Sequence, residues 1–202
     1  MPTLELLLAT NNPGKVKEYT ELFTGAGFYL VTPKDKGMEI DPVETGQTFA
    51  ENAVIKAEVL SAASGLLTLA DDSGLEVDAL GGAPGVRSAR YAGDGATDAD
   101  RNALLLENMK DISEPQRTAR FRCAIAIAGS GHRTQVVEGV VEGIITDKPR
   151  GSGGFGYDPV FYLPELGCTM AELTPEEKNG LSHRARAAVK ARVILREIHP
   201  SV

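Results

Sequence analysis

The sequence predicts an α/β domain built around a mixed β-sheet with flanking helices. In the first half of the chain, short apolar runs alternate with segments of helical periodicity, which favours strands joined by helices. Later, three strand candidates follow one another, and the middle one partly alternates apolar with charged residues, which indicates an antiparallel pair. No repeat or low-complexity linker is present, so we expect one domain over 1–202. Two lobes are expected within it, and the sequence does not define their boundary.

The first strand is predicted over 4–9, a short apolar run typical of a buried strand. Turn-forming residues at 10–14 end it, and apolar residues at helical spacing over 15–23 predict a helix. A strand, a polar loop and a helix in this order begin many phosphate sites, because backbone N–H groups and the helix N-terminus then face one point. Taken alone, the motif is more simply interpreted as a plain connection.

A capping box marks the start of the next helix. Thr48 is followed three positions later by Glu51, and apolar residues at helical spacing come after them. We therefore predict a helix over 48–64 that ends at Gly65, since glycine commonly closes a helix.

Two adjacent carboxylates, Asp71 and Asp72, follow an apolar run at 66–70 that predicts the second strand. Carboxylates at the end of an apolar strand are costly near a core unless a cation meets them. With Glu44 upstream, they are the best candidates for metal ligands, because a few hard oxygen ligands suit Mg²⁺, which completes its shell with waters and substrate phosphates. A helix cap or a turn explains the two aspartates equally well.

The second half of the chain is predicted to contain an ordered loop rich in Gly and Pro over 81–95, followed by helices and strands. The predicted helices and strands cover 98–109 (helix), 119–128, 135–145 and 157–163 (strands), and 184–198 (helix). The last helix is amphipathic, with an inward face expected to carry Ala185, Ala188, Val189 and Val193.

The composition excludes several classes of protein. A net charge of −7 disfavours non-specific binding to nucleic acid or to an anionic membrane, because both require an excess of basic residues. No apolar run is long enough to span a bilayer, and the N-terminus lacks the pattern of a signal peptide. Cys123 and Cys168 are far apart and lack metal or redox spacing, so we expect free thiols and a cytoplasmic location.

The Gly-rich stretch 151–156 contains the spacing G-x-G-x-x-G. In dinucleotide-binding proteins that spacing follows a strand and opens a helix, whereas here Tyr157, Asp158 and a β-like run come next. We therefore interpret the stretch as a loop with an exposed backbone, and a Rossmann oxidoreductase is disfavoured. The P-loop pattern is absent from the sequence.

Two polar segments have the donors that a nucleoside triphosphate requires. Residues 10–15 supply a hydroxyl, two amides, a turn glycine and an ammonium group. Lys178, His183 and Arg184 form a basic entrance to the last helix, although a lone histidine is as easily a surface or core residue. Both segments lie where elements end, which is where α/β proteins place their sites.

Taken together, these segments resemble the Ham1/RdgB-type inosine triphosphate pyrophosphatases, a family also called non-canonical purine NTP pyrophosphatases. The matching segments lie in the family's order over nearly the whole chain, at 9–15, 44–53, 70–75, 81–91, 151–159 and 178–184. Any one of them alone is a weak signal, whereas jointly they are very specific.

The resemblance implies hydrolysis of ITP, dITP and XTP between the α and β phosphates. It also implies an elongated mixed α/β fold with a central nucleotide-binding cleft between two lobes, and a homodimer. Asp72 is implied as the acidic catalytic residue that engages Mg²⁺, Lys15 as a second catalytic group and Glu44 as a second metal ligand. The substrate-binding residues it implies are Thr10, Asn11, Asn12, Pro13, Gly14, Lys15, Ser73, Phe155, Gly156, Tyr157, Asp158, Lys178, His183 and Arg184.

These roles agree with the chemistry of phosphoryl transfer, in which an enzyme mostly positions groups and neutralises charge. Phe155 offers a face on which a base can stack, and donors near His183 and Arg184 could meet a 6-oxo group that adenine lacks. Guanine also has a 6-oxo group, and the sequence does not show how it is rejected. The alternatives are a Maf-like or broader-specificity NTP pyrophosphatase, and a nucleotide-binding protein without catalysis.

Overall fold

Seven strands form one mixed sheet within the residues that the computed structural model describes, 4–129 and 131–200. The strands are β1 (Leu4–Leu8), β2 (Phe28–Val31), β3 (Thr68–Val77), β4 (Thr118–Gly129), β5 (His132–Ile145), β6 (Phe161–Leu163) and β7 (Cys168–Thr169). The helices are α1 (Pro13–Leu22), α2 (Phe49–Ser64), α3 (Asp98–Asn108), α4 (Pro175–Leu181) and α5 (His183–Ile198).

The strand order is β2-β1-β3-β4-β5-β6-β7. β1 pairs in parallel with both β2 and β3, whereas β6 pairs antiparallel with β5 and with β7. The predicted α/β fold with a mixed sheet and flanking helices is therefore confirmed, as is the antiparallel pairing late in the chain.

The chain divides into two compact units. The first comprises the described parts of 1–72, 123–139 and 184–202. Its core packs leucines of β1 and β3 against Tyr19 of α1, Phe23 at the end of that helix, and the alanine-rich face of α5. Small residues on that face let the helix lie close to the sheet, and each fully buried leucine contributes about 2 kcal/mol.

The second unit comprises 73–122 and 140–183. Leu75 and Val77 of β3 pack there with Phe121 of β4 and Phe161 of β6, and the two phenylalanine rings have centroids 4.4 Å apart. The predicted loop at 81–95 contains a 3₁₀ turn at Gly85–Arg90. The unit therefore has a core of its own.

β3 differs from the strand predicted over 66–70. It begins at Thr68 and continues through both aspartates to Val77, so Asp71 and Asp72 lie inside a strand and not after its end. The prediction of a turn there was wrong because the carboxylates are buried against cationic side chains from other elements, which local sequence does not reveal.

One strand is shorter than predicted, and three elements are absent from the prediction. β6 covers only Phe161–Leu163, because a 3₁₀ turn containing Pro159 occupies the start of the predicted 157–163 strand. β2 and β7 have four and two residues, which is too short for a periodic pattern. α4 was also missed, although Thr174 and Glu177 form a capping box at its start.

α5 buries a different face from the one expected. Ala185 and Ala188 are buried as predicted, but Val189 and Val193 are 64% and 52% exposed, so their inward placement was wrong. The buried stripe instead follows Arg184 along the helix and continues through Ala187, Ala188, Ala191 and Leu195.

Both cysteines are free thiols, as predicted. Burial, together with the nearby charge of Asp71, raises the pKa of the Cys123 thiol to about 12. No described helix combines the length and the apolar character that crossing a bilayer requires.

Candidate active site

The loop after β1 is shaped by its own side chains. The side-chain oxygen of Asn12 accepts hydrogen bonds from the backbone N–H groups of Gly14 (2.9 Å) and Lys15 (3.2 Å) and so caps α1. The hydroxyl of Thr10 accepts from the N–H of Asn12. Two donors at the start of α1 are thus already satisfied, whereas Asn11 is exposed to solvent.

Lys15 is directed towards β3 by a chain of buried charges. Its Nζ lies 2.8 Å from Asp71 Oδ1, and Arg184 Nε donates to the other oxygen of the same carboxylate at 3.2 Å. Arg184 also pairs with Glu18 of α1 and is only 2% exposed. The two cations and two carboxylates balance in charge, which is the condition for burying them together.

The neighbouring charged side chains determine the protonation state of Asp71. Burial alone would raise the pKa of its carboxyl group, but the positive charges of Lys15 and Arg184 outweigh burial and lower the pKa well below its usual range. Asp71 is therefore a permanent anion that holds Lys15. The predicted contact of Arg184 with a base stays a prediction.

Asp72 is held by two side chains of α2. Its Oδ2 accepts from the amide of Asn52 at 3.2 Å, and its Oδ1 lies 3.3 Å from Lys56 Nζ. Asn52 uses its own oxygen to accept the N–H of Gly46 at 2.8 Å, and Lys56 also pairs with Glu44 at 2.8 Å. α2 thereby joins the loop at 44–46 to the strand.

Burial raises the pKa of the Asp72 carboxyl group, and the negative charges of Glu44 and Asp71 add to that rise against the opposing charge of Lys56. The same carboxylates raise the pKa of Lys56 despite its burial. Asp72 is therefore a more basic carboxylate than its neighbour Asp71, which is the property expected of a proton acceptor.

Glu44 and Asp72 match the number and type of protein ligands that Mg²⁺ usually takes. Among the residues described, no three His, Cys, Asp or Glu side chains form a group that could hold a metal ion by themselves. Mg²⁺ usually takes one or two carboxylates and completes its shell with waters and phosphate oxygens. Glu44 and Asp72 already converge on one cation, the ammonium group of Lys56, so this place favours positive charge.

In the second unit, Phe155, Asp158 and Lys178 form a cluster. Asp158 Oδ2 accepts from the N–H of Phe155 at 2.9 Å and from Lys178 Nζ at 2.5 Å. Lys178 Nζ lies 5.1 Å from the centroid of the Phe155 ring, which is within range of a cation–π contact. A half-buried aromatic ring and a buried cation are therefore held together by one carboxylate.

Gly154 is required by this close packing. Its φ is +69°, and a Cβ atom there would lie 2.0 Å from Asp158 Oδ2 and 3.0 Å from Lys178 Nζ. At least this glycine of the stretch at 151–156 is therefore explained by the packing of the loop.

Tyr157 and His183 are both buried in the second unit. The hydroxyl of Tyr157 donates to the carbonyl oxygen of Ser88 at 2.9 Å. The His183 ring stacks on Phe121 with centroids 4.7 Å apart and 13° between the planes. Ser73 lies half-buried in β3. The substrate contacts predicted for these residues stay predictions.

The predicted residues fall into two groups, according to the unit that contains them. Residues 10–15, Glu44, Asp72 and Arg184 belong to the first group, and Ser73, Phe155, Gly156, Tyr157, Asp158, Lys178 and His183 belong to the second. Asn52 and Lys56 were missed. A signal was available, because two polar residues four positions apart stand beside the buried Ala53 and Ala57 on α2.

Known proteins match the chain over nearly its full length. The model of the Ham1 family matches residues 6–193. A dITP/XTP pyrophosphatase of Geobacillus kaustophilus is 55% identical, covering 92% of this chain and 91% of its own. A dITP/XTP pyrophosphatase of Bacillus subtilis is 49% identical, with 95% and 96% covered.

A solved structure of a HAM1 protein from Coxiella burnetii superposes with a TM-score of 0.86 at 44% identity. The superposition covers 96% of this chain and 99% of that one. The similarity in sequence and the similarity in fold therefore extend over the same part of the chain. On the match to the family model and on these relatives, the chain belongs to the Ham1 family.

Proposed function

We propose that the protein hydrolyses the non-canonical purine nucleoside triphosphates dITP, XTP and ITP between the α and β phosphates. The products are the nucleoside monophosphate and pyrophosphate. The observation that carries the proposal is a basic carboxylate, Asp72, paired with Lys56 and next in β3 to Asp71, which pairs with Lys15. The names of the two relatives support the choice of substrate.

Two lysines provide the charge that a triphosphate needs. Lys15 follows the capped loop at the start of α1, and its ammonium group is held in place by Asp71. Lys56 is held by Glu44 and Asp72. Cations fixed before substrate arrives stabilise the charge that develops on phosphate oxygens without reorganising during the reaction.

Asp72 serves as the proton acceptor for the attacking water. Without a bound metal, its raised pKa makes it a better base than an exposed aspartate, and Asn52 fixes the position of one of its oxygens. We infer that Glu44 and Asp72 hold Mg²⁺ in the working enzyme. When bound, the ion would neutralise phosphate charge and polarise the scissile anhydride.

The second group recognises the base. Phe155 offers a ring face for stacking, and Lys178 and Asp158 hold that ring in place. Hydrogen-bond donors near His183 would meet the 6-oxo group of hypoxanthine or xanthine. Adenine has an amino group there and would leave the donors unpaired, a mismatch that can discriminate by about 10⁴-fold.

A panel of ITP, XTP, dITP, GTP, ATP and dTTP, assayed for pyrophosphate with and without Mg²⁺, tests the proposal. We expect pyrophosphate from the first three nucleotides only, and only when Mg²⁺ is present. Orthophosphate as the product would contradict the proposal. Preference for dTTP or another pyrimidine would favour a Maf-like enzyme, and binding without turnover would favour a nucleotide-binding protein.

We also propose that the protein is a homodimer, as the family resemblance implies, and that it is cytoplasmic, as its free cysteines indicate. Sedimentation equilibrium at micromolar concentration tests the assembly, with an expected mass of twice the chain's 21.4 kDa. A mass of one chain at every concentration would contradict it.

A further inference from the structure

Gly156 is bound through both polar groups of its backbone by α3. Asp98 Oδ2 accepts the N–H of Gly156 at 2.7 Å, and Asn102 Nδ2 donates to its carbonyl oxygen at 3.0 Å. Asp98 and Asn102 are four positions apart on one face of the helix. Together the two side chains fix the orientation of the peptide groups on both sides of a loop glycine.

α3 holds these two side chains firmly. Asp98 pairs through its other oxygen with Arg101, and Arg101 also donates to the carbonyl oxygens of Ala89 (3.0 Å) and Ala96 (2.6 Å). Asn102 is only 5% exposed. The helix itself begins with a capping box at Thr97, so its first turn is well defined.

The contacts to Gly156 also fix its neighbour Phe155. The N–H of Phe155 is held by Asp158, and the peptide group after Phe155 is held by Asp98 through the N–H of Gly156. With the peptide groups on both sides of Phe155 fixed, only the side-chain torsions of the ring remain free, and Lys178 lies over the ring. Less conformational entropy is then lost when a base stacks on it.

We propose that Asp98 and Asn102 are positioning residues that orient Phe155 for stacking on the purine base. Neither residue was among the predicted site residues, and both act through Gly156. The proposal rests on the proposed function, because that function assigns the base to Phe155.

The first test measures the position of the ring without turnover. The chain has no tryptophan, so Phe155→Trp introduces a single indole reporter. In that background we expect Asn102→Ala to lower the fluorescence anisotropy and to raise quenching by acrylamide. Asn108→Ala is the matched control, because Asn108 lies on the same helix but donates to the hydroxyl of Tyr91. Equal quenching and anisotropy in the two variants would overturn the proposal.

The second test is kinetic and uses the native Phe155. Asn102→Ala is expected to raise the KM for ITP about tenfold with kcat nearly unchanged, because base binding is lost equally in the ground and transition states. A fall in kcat at constant KM would overturn the positioning role. If wild-type protein fails to hydrolyse ITP, the proposed function fails, while the fluorescence result still reports on the ring.

Asp98→Ala keeps the proposal testable if Asn102→Ala does not fold. The side chain of Asp98 is 43% exposed, so its loss leaves no buried cavity. We expect the same changes in quenching and KM as for Asn102→Ala, with a melting temperature close to that of wild type. A folded Asp98→Ala protein with unchanged quenching and KM would refute the role of this pair.

Discussion

Asp72 is the residue on which turnover depends in our proposal. Asp72→Asn keeps the shape of the side chain and its place beside Asn52 and Lys56 but removes the proton acceptor. We expect kcat for ITP to fall by about 10²–10⁴-fold while nucleotide still binds. Pyrophosphate release and titration calorimetry measure the two quantities.

Asp94→Asn, at an exposed position, is the control for this variant. Wild-type turnover by Asp72→Asn would show that another group accepts the proton. Loss of binding together with turnover would mean that Asp72 serves chiefly to assemble the site.

Lys56 is the largest positive influence on Asp72. Removing its charge with Lys56→Met would raise the pKa of Asp72 further, so a smaller fraction of the base is ionised at a given pH. We expect kcat/KM for ITP to fall, and the acidic limb of its pH profile to move to higher pH. The profile should be recorded beside that of Lys36→Met, which removes a more exposed lysine paired with Glu5. If the acidic limb lies at the same pH in both variants, Lys56 does not lower the pKa of Asp72.

Among helices and strands, the sequence predicted an element best where local motifs mark both of its ends. α2 begins after Thr48 and ends before Gly65 as expected, because its capping box and its left-handed glycine are both read from neighbouring residues. β3 was misjudged because its carboxylates are compensated by residues far away in the chain. Periodicity contains no information about such partners.

The junction of α3 and β5 depends on one buried guanidinium group. Arg117 donates to the carbonyl oxygens of Met109, Ile112, Ile145 and Thr146 at 2.7–3.1 Å. Arg117→Ala leaves these acceptors without their donor, and we expect a loss of about 3 kcal/mol in the free energy of unfolding. Urea denaturation followed by circular dichroism measures it.

The Arg117→Lys variant tests whether the positive charge is enough for stability or whether the planar guanidinium group is needed. A single ammonium group cannot reach four carbonyls arranged around a planar fork, so we expect only partial recovery of stability. The exposed Arg133→Ala is the control, with a change of at most about 0.5 kcal/mol. Full recovery with lysine would show that charge alone is needed.

For the whole molecule, the low pKa of Asp71 links stability to pH. A carboxyl group whose pKa is lowered by folding stabilises the protein above its unfolded value near 3.8, and that contribution is lost as the pH falls below it. Asp71→Asn leaves Lys15 and Arg184 without this partner, so we expect a loss of about 3–5 kcal/mol at neutral pH.

The difference in the free energy of unfolding between wild type and Asp71→Asn should narrow as the pH falls below 3.8, because Asp71 then takes up a proton in the unfolded chain while it stays ionised in the folded one. Urea unfolding at a series of pH values measures this, with Asp111→Asn as the exposed control. A difference in the free energy of unfolding that stays constant with pH would show that the shape of the Asp71 side chain, and not its charge, stabilises the protein.

Over the whole chain, motifs selected candidate site residues but not the side chains that hold them. The loop at 10–15, the two aspartates and the segment around Phe155 were selected from residue types at predicted element ends. The partners Asn52 and Glu18 could not be identified in that way, because each acts through a residue distant in sequence. The sheet order brings such partners together, and order is a property of the complete fold.

Lys56 between Glu44 and Asp72 also bears on how the protein is made. The chain supplies its own counter-ion for these carboxylates, so their burial during folding needs no divalent ion. We therefore expect the chain to fold in a buffer without magnesium. In our proposal, the metal then arrives together with the nucleotide.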